Sequence, residues 1–194
     1  MSFTQKFYTA DHHFGHALML SETACARPFA STKEMDECLI DCWNSVVRKD
    51  DLVFHLGDFS MGLGDAARVE SVFRRLNGRK RLVLGNHDYA KANVIHPTLA
   101  GLAWDAPPAA AMETIDEGER VYLSHYAART WPGQHKGSFH FFGHSHGRLA
   151  PFGRSRDVGV DCPDTGYAPR TFKQLVSGMD LEPIVAEEAE SFAP

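Results

Sequence analysis

Leu82-Val83-Leu84-Gly85-Asn86-His87-Asp88 sets an apolar run against an abrupt polar stop. Three consecutive branched aliphatics predict a buried strand, and Gly85 opens a turn whose next three side chains all carry oxygen or nitrogen donors. The same grammar recurs on either side. A strand predicted over residues 3–10 stops at Asp11-His12-His13-Phe14-Gly15-His16, and Leu52 to Leu56 stops at Gly57-Asp58. Arg120 to Ser124, the second arm of a hairpin with Met112 to Ile115, runs into His125, and Phe139 to Phe142 stops at Gly143-His144-Ser145-His146. Strand-like runs ending in Asp, Asn or His predict an α/β or α+β chain in which these polar segments share one edge of a sheet. Beyond strand ends the backbone leaves the ladder and side chains can converge.

Helical patterns lie between the strands. Ser31-Thr32-Lys33-Glu34 is a capping-box pattern, and Met35, Cys38, Leu39, Cys42, Trp43 and Val46 form one apolar face of a helix ending near Arg48. Ala66 to Leu76 predicts a second helix, Ala17 to Ser21 and Thr171 to Ser177 short ones, and Val158 to Val160 a last core strand. His96 to Ala111 reads as loop or irregular helix. Residues 1–180 are expected to form one domain, with 181–194, which carries the acidic Glu187-Glu188-Ala189-Glu190, as a peripheral tail.

Composition bounds the function. The chain has 194 residues, 43% hydrophobic, with a formal net charge of −5. That suits a single substantial core and disfavours a generic duplex binder or a polybasic membrane anchor. Cys25, Cys38, Cys42 and Cys162 form no CxxC pair and read as reduced thiols. No apolar run nears the roughly 18 residues of a membrane span, and the N-terminus lacks a signal-peptide core. The expected setting is cytoplasmic, with no membrane partner. Eleven histidines are the outlier in this profile.

Chance accounts for some motifs and not others. Shuffling this composition yields about 0.8 Asp-x-His and about 1.1 Gly-Asp, but only ~0.05 Gly-His-x-His and ~0.001 Gly-Asn-His-Asp. Asp11, His13, Asp58, Asn86, His125, His144 and His146 supply oxygen and nitrogen donors and no thiolate, a set suited to hard or borderline divalent metals. Seven donors exceed the needs of one ion. They fit two neighbouring ions if a carboxylate bridges them, an arrangement that serves phosphoester hydrolysis.

In these motifs the chain resembles the calcineurin-like metallophosphoesterase superfamily, whose ordered set is DxH, GD, GNH with an acid next, a lone His, and GHxH. The match runs from residue 11 to residue 146, and the chain resembles the small bacterial and phage phosphoesterases of the superfamily. The resemblance implies a four-layer fold of two packed mixed β-sheets flanked by helices. It implies Asp11, His13 and His146 on one metal, Asn86, His125 and His144 on a second, and Asp58 bridging both. His87 would contact the phosphate and protonate the leaving oxygen, with Asp88 orienting it, while a metal-bridging hydroxide attacks phosphorus in line. The implied cofactors are two divalent ions, Mn²⁺ first, with Fe, Zn, Ni, Co and Mg as alternatives.

Substrate contacts are sought next to these motifs. His16 lies one turn past the first, Arg27 precedes Pro28-Phe29 in the following loop, and Arg148 follows the last; each could meet a phosphate. The segment Gly57 to Gly62 lacks the Asp-Arg pair of the superfamily's protein phosphatases, and Asp88 stands where they have Glu. The DNA-repair nucleases add a capping domain for which 194 residues leave no room. The preferred substrate is therefore a small phosphodiester such as a nucleotide or cyclic nucleotide. Alternatives are a phosphomonoester, nucleic-acid end processing, for which the Arg74-Arg75 and Arg79-Lys80-Arg81 cluster is the one argument, and a catalytically silent interaction scaffold.

Overall fold

The computed structural model describes residues 4–179 and 181. The acidic run expected in the tail lies outside them. In chain order the elements are β1 (Lys6–Thr9), α1 (Thr32–Val46), β2 (Leu52–His55), α2 (Ala66–Arg75), β3 (Arg79–Leu82), β4 (Tyr89–Lys91), β5 (Val94–Ile95), α3 (Pro97–Ala100), β6 (Ala111–Asp116), β7 (Glu119–Ser124), β8 (Phe139–Phe142), β9 (Ser155–Asp157), β10 (Arg170–Thr171) and α4 (Phe172–Val176). Single 3₁₀ turns occur at Ala17–Leu20, Asn86–Asp88 and Gln134–Lys136.

Two four-stranded sheets carry the fold, ordered β10-β1-β2-β3 and β6-β7-β8-β9. Each is mixed: β1, β2 and β3 run parallel with β10 antiparallel, and β7, β8 and β9 run parallel with β6 antiparallel. Tyr8, Leu52, Phe54 and Val83 of the first sheet meet Val121, Leu123, Phe139 and Phe141 of the second in a buried layer closed by Phe172 and Leu175 of α4. On the far face of the first sheet, Met35, Leu39, Ile40 and Trp43 of α1 and Val69, Val72 and Phe73 of α2 make a second apolar layer. Each such side chain contributes about 1.5–3 kcal/mol on burial. The outer face of the second sheet is covered by the loop before β8, whose Trp131 stacks on His140 with ring centroids 5.3 Å apart. Two packed mixed sheets flanked by helices are thus present. Among the described residues no helix is long and apolar enough to cross a membrane.

Local chemistry explains the boundaries. Ser31 caps α1 by accepting from the Glu34 N–H, but the Glu34 carboxylate returns to the Ala30 N–H, one residue earlier than a capping box would have it. β3 starts at Arg79, three residues before the expected strand. Lys80 and Leu82 point inward while Arg79 and Arg81 point out, and the buried Lys80 ammonium is satisfied by the Leu76 and Gly78 carbonyls. The expected last strand, Val158 to Val160, instead straddles both sheets: Val158 N–H bonds Phe142 O of the second sheet and Val160 N–H bonds Ala10 O of the first. That crossing ties the sheets together where β1 and β8 end. The β4–β5 hairpin has no counterpart in the apolar pattern.

Candidate functional site

Parallel strands put their carboxyl ends on one edge, and the five motif segments follow those ends. Asp11-x-His13, Gly57-Asp58 and Gly85 to Asp88 leave the first sheet after β1, β2 and β3; His125 and Gly143 to His146 leave the second after β7 and β8. The loops then zip together: Asp11 N–H bonds Gly57 O and His13 N–H bonds Asp58 O, both at 3.0 Å, and Gly143 N–H bonds His125 O at 3.0 Å. Among the described residues nine non-glycine positions have positive φ, and five are predicted ligands: Asp11, His13, Asp58, His144 and His146, between 50° and 66°. Asp tolerates this region better than most residues, and so does His. The left-handed bend turns each side chain away from the path of its strand, and such bends cluster at functional sites.

Each aspartate is held by one oxygen and leaves the other unbonded. Asp58 Oδ1 accepts from the His87 N–H at 2.9 Å, and Asp11 Oδ2 accepts from the His144 N–H at 2.9 Å. Motif glycines make room for this. A Cβ on Gly85 would lie 2.5 Å from Asp58 N, and one on Gly143 would lie 2.8 Å from Asp11 Oδ2. The other oxygen of Asp58, Oδ2, sits 3.4 Å from His13 Nε2 and 3.5 Å from His125 Nε2. Donors about 2.0–2.2 Å from one ion stand roughly 3.0–3.5 Å apart.

His125 offers a donor that is compatible with a cation there. Its Nδ1 donates to Leu56 O at 2.8 Å, and burial holds its pKa below the ordinary histidine range, so the ring is neutral and Nε2 bears a lone pair. That lone pair faces Asn86 Oδ1 at 3.0 Å and Asp58 Oδ2. Three lone pairs converge, an arrangement that is repulsive until a positive charge sits among them. Asp11 Oδ1 and both ring nitrogens of His13 are likewise buried without a hydrogen-bond partner. Burial, then the Asp157 and Asp58 carboxylates, drive the Asp11 carboxyl well above its ordinary range against the pull of His146. A divalent cation reverses each of these penalties. Ligand atoms of Asp11, His13 and His146, and separately of Asp58, His125 and His144, lie within 4.8 Å of one another. The donor set and its unsatisfied atoms fit divalent metal.

Other predicted positions divide. His87, half-buried, rests its ring 5.2 Å from His13 and lies within the same reach of His13 and Asp58. His16 completes that corner, 5.3 Å from His13 and 6.1 Å from His87 between ring centroids. Arg148 is exposed, bonded to the Ala24 carbonyl at the rim of a cavity that His146 and Asp161 also line. Asp88 does not orient His87. Its fully buried carboxylate accepts from the N–H groups of Gly85, Asp58 and Phe59, at 2.8, 2.9 and 3.2 Å, and so ties the second motif to the third.

Arg27 is not available as the expected phosphate contact, because only 2% of it is exposed. Its guanidinium is spent on both Asp161 oxygens, at 2.8 and 2.7 Å, and on the carbonyls of His12 and Asp11, each at 2.7 Å. No donor faces a substrate. What Arg27 does is hold the loop of the first motif and, through Asp161, the last. Asp161 Oδ2 is 2.7 Å from His146 Nδ1, which leaves His146 Nε2 for an ion. Burial would raise the Asp161 carboxyl, yet the bonds from Arg27 and His146 outweigh it and hold the group well below the carboxylate range. Asp157 anchors the same loop through the Gly147 and Gly159 N–H groups. Asp157 and Asp161 flank the strand expected over Val158 to Val160 and are absent from the expected site residues. The available signal was that Val158-Gly159-Val160-Asp161 repeats the grammar of an apolar run ended by an acid.

The basic cluster is absorbed by acids. Arg74 pairs with Glu70, Arg75 with Glu37, and Arg79 and Arg81 both with Asp105. His55 is buried against His12, Nε2 to Nδ1 at 2.9 Å, and His140 lies between Ser124 and Ser155.

No family model matches the chain. An uncharacterised protein of Methanocaldococcus jannaschii is 38% identical over 88 residues, 45% of this chain and 49% of that protein, so the match spans about half of that relative. A protein of unknown function from Aquifex aeolicus superposes with a TM-score of 0.66 over 90% of this chain and 99% of its own, at 20% identity, which shows a common fold. The Gene 66 protein of Mycobacterium phage D29 is 32% identical over 167 residues, 74% of this chain and 79% of the phage protein. At that identity and coverage, this chain belongs to the family of the phage D29 Gene 66 protein.

Proposed function

We propose that the chain is a phosphoesterase that hydrolyses small phosphodiesters, nucleotides among them, using two divalent ions that share Asp58. The observation that carries this reading is the single Asp58 oxygen lying between His13 Nε2 and His125 Nε2, at 3.4 and 3.5 Å. Asp11, His13 and His146 would hold one ion, and Asn86, His125 and His144 the other. Bound there, the ions would polarise the phosphoryl oxygens and lower the pKa of water toward neutrality, so that hydrolysis needs no strong protein base. Mn²⁺ is the ion for the assay.

The chain's own groups supply the rest. His87, half-buried next to His13 and Asp58, donates a proton to the departing oxygen. His16 beside it and the exposed Arg148 beyond His146 would meet phosphate oxygens. Asp88 and Asp161 act through others, fixing the loop of Asp58 and the ring of His146. A scaffold role fits poorly. Leaving Asp11 Oδ1 and the His13 nitrogens buried and unpartnered costs about 1–3 kcal/mol apiece with no return unless a ligand binds.

The test is hydrolysis of bis-p-nitrophenyl phosphate with Mn²⁺. Chelation should stop it, and Asp58→Asn should remove most of it. Activity that survives both treatments contradicts the reading.

A further inference from the structure

A cavity of about 560 Å³ opens beside the predicted ligands Asn86 and His125, which form part of its wall. It lies between the β4–β5 hairpin and the segment that follows β7. Its size is that of a small-molecule cleft. Two tyrosines line it, Tyr89 and Tyr126, with Leu84 as apolar surface and Lys91, Asn93 and Ser124 as polar groups.

Tyr126 is the informative residue. It is 53% exposed and borders the cavity. The ring is nevertheless anchored: it meets His144 edge-on with centroids 4.5 Å apart and His125 likewise at 5.0 Å. Ser124 Oγ fixes its backbone by donating to the Tyr126 carbonyl at 2.8 Å. An exposed aromatic held against two predicted ligands is a preformed platform next to the reacting centre, and a planar group can stack on it at little entropic cost.

The position of His87 decides which part of the substrate lies here. His87 is not in the cavity wall; its ring meets His13 and His16 instead. The group leaving toward His87 and the group in the cavity are therefore different substituents of one phosphorus. We infer that this cavity binds the retained, ring-bearing alcohol of a phosphodiester, a nucleoside, with its base stacked on Tyr126 and its polar edge toward Lys91 and Asn93. An acyl chain would leave the ammonium and amide of those residues unmatched, and a simple sugar would cover the tyrosine face only with C–H groups where a base offers a planar ring of matching area. The inference rests on the phosphoesterase reading above and adds which ester that site selects.

The experiment compares two esters that share a leaving group. The p-nitrophenyl ester of thymidine 5′-phosphate carries a nucleoside as its retained group, and methyl p-nitrophenyl phosphate carries a methyl. With Mn²⁺, the full chain should show a higher kcat/KM for the nucleoside ester. Tyr126→Leu, which keeps bulk and loses the ring, should lower the ratio of the two kcat/KM values about tenfold, and Tyr126→Phe should preserve it. An equal loss on both esters in Tyr126→Leu would make Tyr126 a mere prop for His144 and overturn the inference. So would a wild-type protein with no preference for the nucleoside. Failure to release p-nitrophenolate from either ester would instead bring down the phosphoesterase reading itself.

Discussion

Asp161 Oδ2 lies 2.7 Å from Nδ1 of His146, and Arg27 holds the same carboxylate through both of its oxygens. Burial would lower the His146 pKa, yet its bond to Asp161 raises it to about 10, so the ring is held in one orientation and must give up its Nε2 proton when an ion binds there. Removing the charge while keeping the shape, as in Asp161→Asn, should weaken Mn²⁺ binding roughly 10- to 100-fold. Calorimetric titration of the metal-free protein reads this directly. A purely structural aspartate would lower the melting temperature and leave the affinity alone.

Arg27 separates two readings of one residue. As a phosphate contact, its loss would raise KM and spare stability. Buried on Asp161 and on the Asp11 and His12 carbonyls, it should behave otherwise. Arg27→Met strands a carboxylate and two carbonyls, which costs about 3–5 kcal/mol in urea unfolding.

His87→Ala distinguishes a proton donor from a ligand. Its ring lies near enough to His13 and Asp58 to raise the question. The expected result is unchanged Mn²⁺ content with turnover lower by roughly 10²-fold or more. Loss of metal would make His87 a ligand.

Burial lowers the pKa of His140 from the ordinary 6.5 to about 4. The folded state therefore resists a proton that the unfolded chain accepts. Its contribution is fully present above pH 6.5 and is lost as pH falls toward 4, at about 1.4 kcal/mol per pH unit for the one proton. His140→Gln removes that term. Between pH 6.5 and 4 the wild type should lose stability faster than the variant, as measured by urea unfolding in metal-free buffer.

Strand-end motifs are legible in sequence because short-range rules write them: an apolar run, a glycine, then donors. That reading located β8 to the residue and put Asp58, His125 and His144 beyond strand ends, where their ligand atoms lie within 4.8 Å of one another. Partnerships that depend on tertiary approach were not legible. Arg27 and Asp161 are 134 positions apart, so nothing local says that the arginine faces a buried acid rather than solvent. Asp88 looked like a partner for its neighbour His87 because sequence shows adjacency, whereas its carboxylate turns back to the amides of Gly85, Asp58 and Phe59. The early start of β3 escaped for a related reason. Arg79-Lys80-Arg81 reads as a solvated run until the Leu76 and Gly78 carbonyls are seen to satisfy the buried Lys80.

Two ions sharing Asp58 should both be needed for hydrolysis. This requirement is tested most directly by stripping the protein of metal and titrating Mn²⁺ back while following bis-p-nitrophenyl phosphate hydrolysis and bound metal together. No turnover is expected without metal, and full activity only as occupancy reaches two ions per chain. Full activity at one ion, or any substantial activity at none, would contradict it.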